Sequence, residues 1–111
     1  MIRIDQIWLA TAPPDMRAGP DTALARVIQV FGSARPHCAY LFANKRADLM
    51  KVLIHDGLGI WLCARRIYRG KFHWAESWHA AQVLITDEQL HALVQGLPWH
   101  TIGEAGVIKL L

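Results

Sequence analysis

The stretch Leu49-Met50-Lys51-Val52-Leu53-Ile54-His55-Asp56-Gly57-Leu58-Gly59-Ile60-Trp61-Leu62-Cys63-Ala64-Arg65-Arg66 decides the fold. Over 49–55, Met50, Val52 and Ile54 alternate with Leu49, Lys51, Leu53 and His55, the period of two that a strand imposes on its side chains. Asp56-Gly57-Leu58-Gly59 supplies an acid and two glycines where a tight turn asks for positive φ, and the chain returns as a second strand over 60–68. Pairing His55 with Ile60 sets Ile54 opposite Trp61 and Lys51 opposite Ala64. One face is then apolar, and the other carries Lys51 and Arg66 near Ile60 and Leu62.

Upstream, the apolar run 38–43 reads as a strand, and Asn44-Lys45-Arg46-Ala47-Asp48 supplies the turn chemistry that joins it to the hairpin. Leu24, Val27, Ile28 and Phe31 recur at helical spacing, with Pro20 and Asp21 suited to the start and Gly32 to the C-terminal cap, which predicts a helix over 20–31. The short apolar segment 7–10, stopped by Pro13-Pro14, reads as a first strand. Downstream, Arg69-Gly70 marks a turn, 71–74 a fourth short strand of the meander, and 82–85 an edge strand, whereas 75–79 fits neither helix nor strand better. Thr86-Asp87-Glu88-Gln89 matches a capping box, followed by Leu90, Leu93, Val94 and Leu97 at helical spacing and ended by Gly96 and Pro98. The tail segment Val107-Ile108-Lys109-Leu110-Leu111 offers an edge strand or a dimer contact. The expected fold is α+β, an antiparallel β-meander of three to five strands packed against two helices, as a single domain over 1–111. Regular strand–helix alternation, the requirement of a doubly wound nucleotide fold, is missing.

Composition agrees with one core. The chain has 111 residues, 53% hydrophobic and 19% charged, which excludes disorder. Its longest uncharged stretch, 89–103, is broken by Gly96 and Pro98 and falls short of the roughly 20 apolar residues that span a bilayer. With an acid at Asp5 where a leader would begin its apolar run, a cytoplasmic protein that does not engage membranes is expected. Cys38 and Cys63 lack any paired spacing and read as buried thiols.

Enzyme chemistry finds little support. His37-Cys38 is an adjacent pair pointing to opposite faces, and His73 with His79 lacks a second ligand pair, so no metal site and no cofactor are expected. A metal-dependent nuclease needs clustered carboxylates, and the acids are scattered; Asp15 and Asp56 are the candidates such an activity would use, although turn and cap roles explain them better. Ser33 and Ser77 lack a nucleophile-elbow setting, and no phosphate-binding glycine loop is present.

Charge is more informative. The formal net charge is +3, yet seven of the twelve bases lie between positions 45 and 71: Lys45, Arg46, Lys51, Arg65, Arg66, Arg69 and Lys71, against Asp48 and Asp56. Such concentration favours a polyanion there, and the expectation is one nucleic-acid-binding patch. The five tryptophans are first candidates for core or interface packing.

Several stretches together carry a family resemblance. Asp15-Met16-Arg17-Ala18-Gly19 with Asp21, Leu41-Phe42-Ala43-Asn44-Lys45-Arg46-Ala47-Asp48, the hairpin core from Met50 to Leu62, Arg65-Arg66, Gly70-Lys71-Phe72-His73-Trp74, and Leu93-Val94 with Gly96-Leu97-Pro98-Trp99 follow in order over nearly the whole chain. This resembles the small accessory protein, the second open reading frame product often called TnpB, of bacterial insertion sequences of the IS sixty-six type. Ala75 departs from the family, which commonly has proline there. The resemblance implies a part in DNA transposition beside a larger transposase that carries the catalytic acids, with no catalytic residues to transfer to this chain. Combined with the residues, it assigns Asp56, Gly57 and Gly59 to shaping the hairpin, Trp61 to anchoring its apolar face, the seven bases to a phosphate-binding surface, and Arg17 to an anion contact at a helix start. The expected partners are DNA, the transposase of the same element and, through the tail, a second copy of the chain. A protein-only adaptor that docks on the transposase is the alternative, and a nuclease the third.

Overall fold

The computed structural model describes residues 3–11, 19–74 and 82–99. In chain order the elements are β1 (Gln6–Ala10), α1 (Pro20–Phe31), β2 (Cys38–Ala43), β3 (Leu49–His55), β4 (Ile60–Arg66), β5 (Gln82–Ile85) and α2 (Asp87–Val94). Arg17 and Asp15, the 75–79 stretch with its Ala75 departure, and the 107–111 tail lie outside the described residues.

Local chemistry sets the helices as expected. Pro20 opens α1, and Gly32 closes it at φ 86 with its amide on the Ile28 carbonyl. At α2 the capping box is complete: Thr86 Oγ1 accepts from the Gln89 amide at 3.1 Å, and Gln89 Oε1 accepts from the Thr86 amide at 2.9 Å. That helix ends at Val94, so Leu97 falls beyond it and stays half-exposed.

The β2-β3-β4 hairpins keep the register read from the sequence, His55 on Ile60, Ile54 on Trp61 and Lys51 on Ala64. The sheet is nevertheless mixed rather than a meander. Its order is β4-β3-β2-β1-β5, with β1 parallel to β2 and antiparallel to β5. The cause is α1: a helix between two strands of one sheet carries the chain back to the starting edge, so β2 must run parallel to β1. Residues 71–74 add no strand. The chain leaves the ladder after Arg66, turns at Gly70 (φ 81) and buries Phe72 beneath the sheet. The Trp74 indole N–H pins this segment by donating to the Ala10 carbonyl at 2.8 Å, and the Trp99 indole N–H donates to the His73 carbonyl.

Side chains of alternating parity fill two cores. On one face Ala23 and Val27 of α1 meet Cys38, Tyr40, Phe42 and Leu53. On the other, Ala92 and Leu93 of α2 join Ile7, Leu9, Leu41, Met50, Phe72 and Trp99. Flanked by strands and covered on both faces, β2 is buried at every position, which is why its sequence is a continuous apolar run. β4 lies at the sheet edge, and this corrects two expectations. Cys63 is exposed rather than a buried thiol, and Trp61, 50% exposed, does not anchor an apolar core.

Gly57 sits at φ 95, and a Cβ there would meet His37 Cε1 at 3.2 Å. Gly57→Ala is therefore expected to destabilise the fold by about 1–2 kcal/mol, from left-handed strain and displacement of the imidazole. Urea unfolding checks this against Gly59→Ala, where nothing lies within 4 Å of the new methyl.

Candidate nucleic-acid interface

The turn joining β2 to β3 is built around Asn44. Its Oδ1 accepts from the amides of Asp48 at 3.0 Å and Leu49 at 3.1 Å, and its Nδ2 donates to Asp48 Oδ1 at 2.6 Å. This side-chain scaffold holds Ala47 at φ 56, a conformation that few residues with a Cβ adopt. Lys45 and Arg46 are thrust into solvent at its apex. The far end of β4 comes alongside: the Ile67 amide donates to the Asp48 carbonyl at 2.9 Å, and the Phe72 amide to the Ala47 carbonyl at 2.7 Å. These two bonds bring Arg66, Arg69 and Lys71 to the same end of the sheet as Lys45 and Arg46.

Among the described residues, one carboxylate stands beside these cations. Asp48 Oδ2 lies 3.8 Å from Arg46 and 3.7 Å from Arg66. The Asn44 amide first, and then the Arg46 and Arg66 charges, hold its carboxyl below the usual range against an opposing effect of burial. Asp48 thus spaces the guanidinium groups that would otherwise repel each other.

Strand parity divides the remaining bases. Lys51 pairs with Phe42 and Ala64 and shares the α1 face with Arg66, one diagonal step away. Arg65 pairs with Met50 and so points to the opposite face with Trp61 and Cys63. The seven bases accordingly form not one flat patch but a cluster at one sheet end, with Lys51 on one flank and Arg65 on the other.

The hairpin tip lies at the other end of the sheet. Asp56 Oδ1 accepts from the amides of Leu58 at 2.8 Å and Gly59 at 2.7 Å, while its Oδ2 accepts from the Trp61 indole at 2.7 Å. Those three donors, the Leu58 amide foremost, draw the Asp56 carboxyl down to about 2. Asp56, Gly57, Gly59 and Trp61 are therefore a turn lock, in which Trp61 closes the loop rather than packing in a core. Because the folded value lies below the unfolded one of about 3.9, the carboxylate's contribution to stability is full above about pH 4 and is lost as pH falls through about 2. The Trp61 indole proton resonance is expected to titrate with a midpoint near 2; a midpoint near 4 would contradict the lock.

A cleft of about 260 Å³ opens on the α1 face, lined by Trp8, Phe31, Ser33, Arg35, Tyr40 and Gln82. Its floor is aromatic, with Phe31 and Tyr40 centroids 4.9 Å apart, and the Tyr40 hydroxyl accepts from the Arg35 amide at 2.8 Å. Burial pushes that phenol above its ordinary value.

Sequence reasoning missed Asp48 and Asn44 as organisers of the basic end. The signal was the Asn-x-x-x-Asp spacing around two bases, which reads only as turn chemistry until the Arg66 partner is in place. Among the described residues, no three His, Cys, Asp or Glu side chains converge as metal ligands, and no helix is long and apolar enough to cross a membrane.

Comparison with known proteins finds relatives of the chain. Two relatives from Sinorhizobium fredii (strain NBRC 101917 / NGR234) match, both described as uncharacterized. Protein y4hO is 32% identical over 95 residues, covering 85% of this chain and 82% of the relative. Protein y4jC is 31% identical over 96 residues, covering 85% and 80%. No solved structure matches significantly. The family described as "IS66 Orf2 like protein" matches residues 5–104, which takes in every described strand and both helices. The chain belongs to that family, the Orf2-like proteins associated with IS66 insertion sequences.

Proposed function

We propose that this protein is a non-catalytic accessory factor of insertion-sequence transposition that binds duplex DNA through the basic end of its sheet. The supporting observation is the convergence of Lys45, Arg46, Arg66, Arg69 and Lys71, joined by the Ile67–Asp48 and Phe72–Ala47 backbone bonds. Long exposed cations at the end of a rigid sheet suit phosphate contacts, which position a protein on DNA without reading its bases. The test is fluorescence anisotropy with duplex from the ends of the parent element across a salt series. Affinity that falls steeply with salt supports the reading, and salt-independent or absent binding overturns it.

A second reading, a protein-only adaptor of the transposase, draws on the exposed large apolar side chains Leu58, Tyr68, Trp61 and Leu84. It is favoured if a pull-down of the transposase of the same element survives nuclease treatment and loss of the basic side chains. A nuclease, the third reading, would show Mg²⁺-dependent nicking lost in Asp15→Ala or Asp56→Ala without unfolding. Absence of cleavage across divalent metals sinks it.

A further inference from the structure

We infer that β4 is a self-complementary edge through which two copies of this chain join their sheets about a two-fold axis at Cys63. β4 ends the strand order, and among the described residues no strand covers its outer side. It has seven residues, five of them exposed, including the half-exposed Trp61. An edge of this length and apolarity is a template for another strand. β5, at the opposite edge, has only four.

The direction of the backbone groups follows from the ladder. The Asp56 amide donates to the Gly59 carbonyl, and the Ile67 amide to the Asp48 carbonyl. Antiparallel pairs alternate between bonded and non-bonded, so Trp61, Cys63 and Arg65 spend their backbone groups on β3, while Ile60, Leu62, Ala64 and Arg66 aim theirs outward. A second β4, antiparallel and centred on Cys63, exchanges both backbone bonds between Leu62 and Ala64 of the other copy, and between Ile60 and Arg66.

The side chains match in that register. Trp61 lies opposite Arg65 of the second copy, an indole face against a guanidinium, and Arg66 lies opposite Ile60. No cation faces a cation. A parallel arrangement would set Arg65 on Arg65 and Arg66 on Arg66, which like-charge repulsion disfavours. The interface is isologous, as closed dimers are, and it commits to a second copy because the complementarity is between β4 and itself. It is independent of whether DNA binds.

The test uses the full chain. Sedimentation should show a dimer at about 100 μM, an affinity ordinary for a small interface. Ala64→Pro removes an outward N–H and no bond to β3, so it should leave the circular dichroism unchanged and weaken dimerisation at least about tenfold. Cys63→Asp, which sets two carboxylates face to face on the axis, should do the same at an exposed site and serves if the proline variant fails to fold. Cys63 on the axis is a non-bonded pair with Cα atoms about 4.5 Å apart, within disulfide reach. Diamide, which takes up the two thiol hydrogens, should therefore cross-link wild type and not Cys63→Ser. In the Cys63→Ser background, a mixture of Trp61→Cys and Arg65→Cys chains should cross-link more than either chain alone. A monomer at that concentration, a dimer that persists in both β4 variants, or cross-linking without the 61–65 preference overturns the proposal.

Discussion

Replacing Lys45, Arg46, Arg69 and Lys71 together by alanine is expected to lower duplex affinity about a hundred- to a thousandfold at about 0.1 M salt and to reduce the salt slope by about 3.6. The magnitude follows from counterion release, since each phosphate contact contributes roughly 0.9 to that slope. All four side chains are exposed, so their loss leaves the core untouched and the melting temperature close to wild type. Arg66 and Arg65 are poor choices for this experiment. Arg46→Ala already removes one guanidinium beside Asp48, at 3.8 Å, and adding Arg66→Ala would remove the other, at 3.7 Å, leaving that carboxylate with neither charge; Arg65 points to the other face. Anisotropy titrations at several salt concentrations check the result. An unchanged slope would move the functional reading from DNA to the transposase.

Leu41→Ala is expected to cost about 3 kcal/mol of stability, within the roughly 2–5 kcal/mol typical of such truncations. Leu41 is completely buried at the centre of β2, in the core that Leu93 of α2 closes. With strands on both sides and helices on both faces, its surroundings have little room to collapse into the vacated volume. For a domain stabilised by about 5–15 kcal/mol, this is a large fraction. Urea unfolding should show a lower midpoint with an unchanged slope, whereas Leu84→Ala at the half-exposed edge should change stability by less than about 0.5 kcal/mol.

What the sequence could reveal follows the range of the interactions. α1, the capping box of α2 and the β3-β4 register depend on residues within a turn or a few residues of each other, and they are visible as spacing. The pairing of β1 with both β2 and β5 joins residues tens of positions apart, so no local pattern announces it. For the same reason 71–74 looks like a strand: its alternation is real, but the Phe72 amide bonds the Ala47 carbonyl and the Phe72 ring is buried, which draws the segment away from the open edge of β4. Edge location explains Trp61 and Cys63. An aromatic or a thiol has the same local sequence whether a neighbour covers it or not. The opposite orientation of Arg65 and Arg66 was implicit in the period of two, whereas their relation to Lys45 and Arg46 required the Asp48 and Ala47 carbonyls to find their donors.

The position of β1 also governs the order in which the chain can fold. β1 is synthesised first, yet both of its neighbours are made later, β5 more than seventy residues after it. The hairpins from Cys38 to Arg66 can form from contacts close in sequence, and long-range pairings must wait for loop closure. On the ribosome the β2-β3-β4 unit, with its basic end, is therefore assembled while β1 still lacks a partner on its outer side, and the sheet is completed only when β5 emerges.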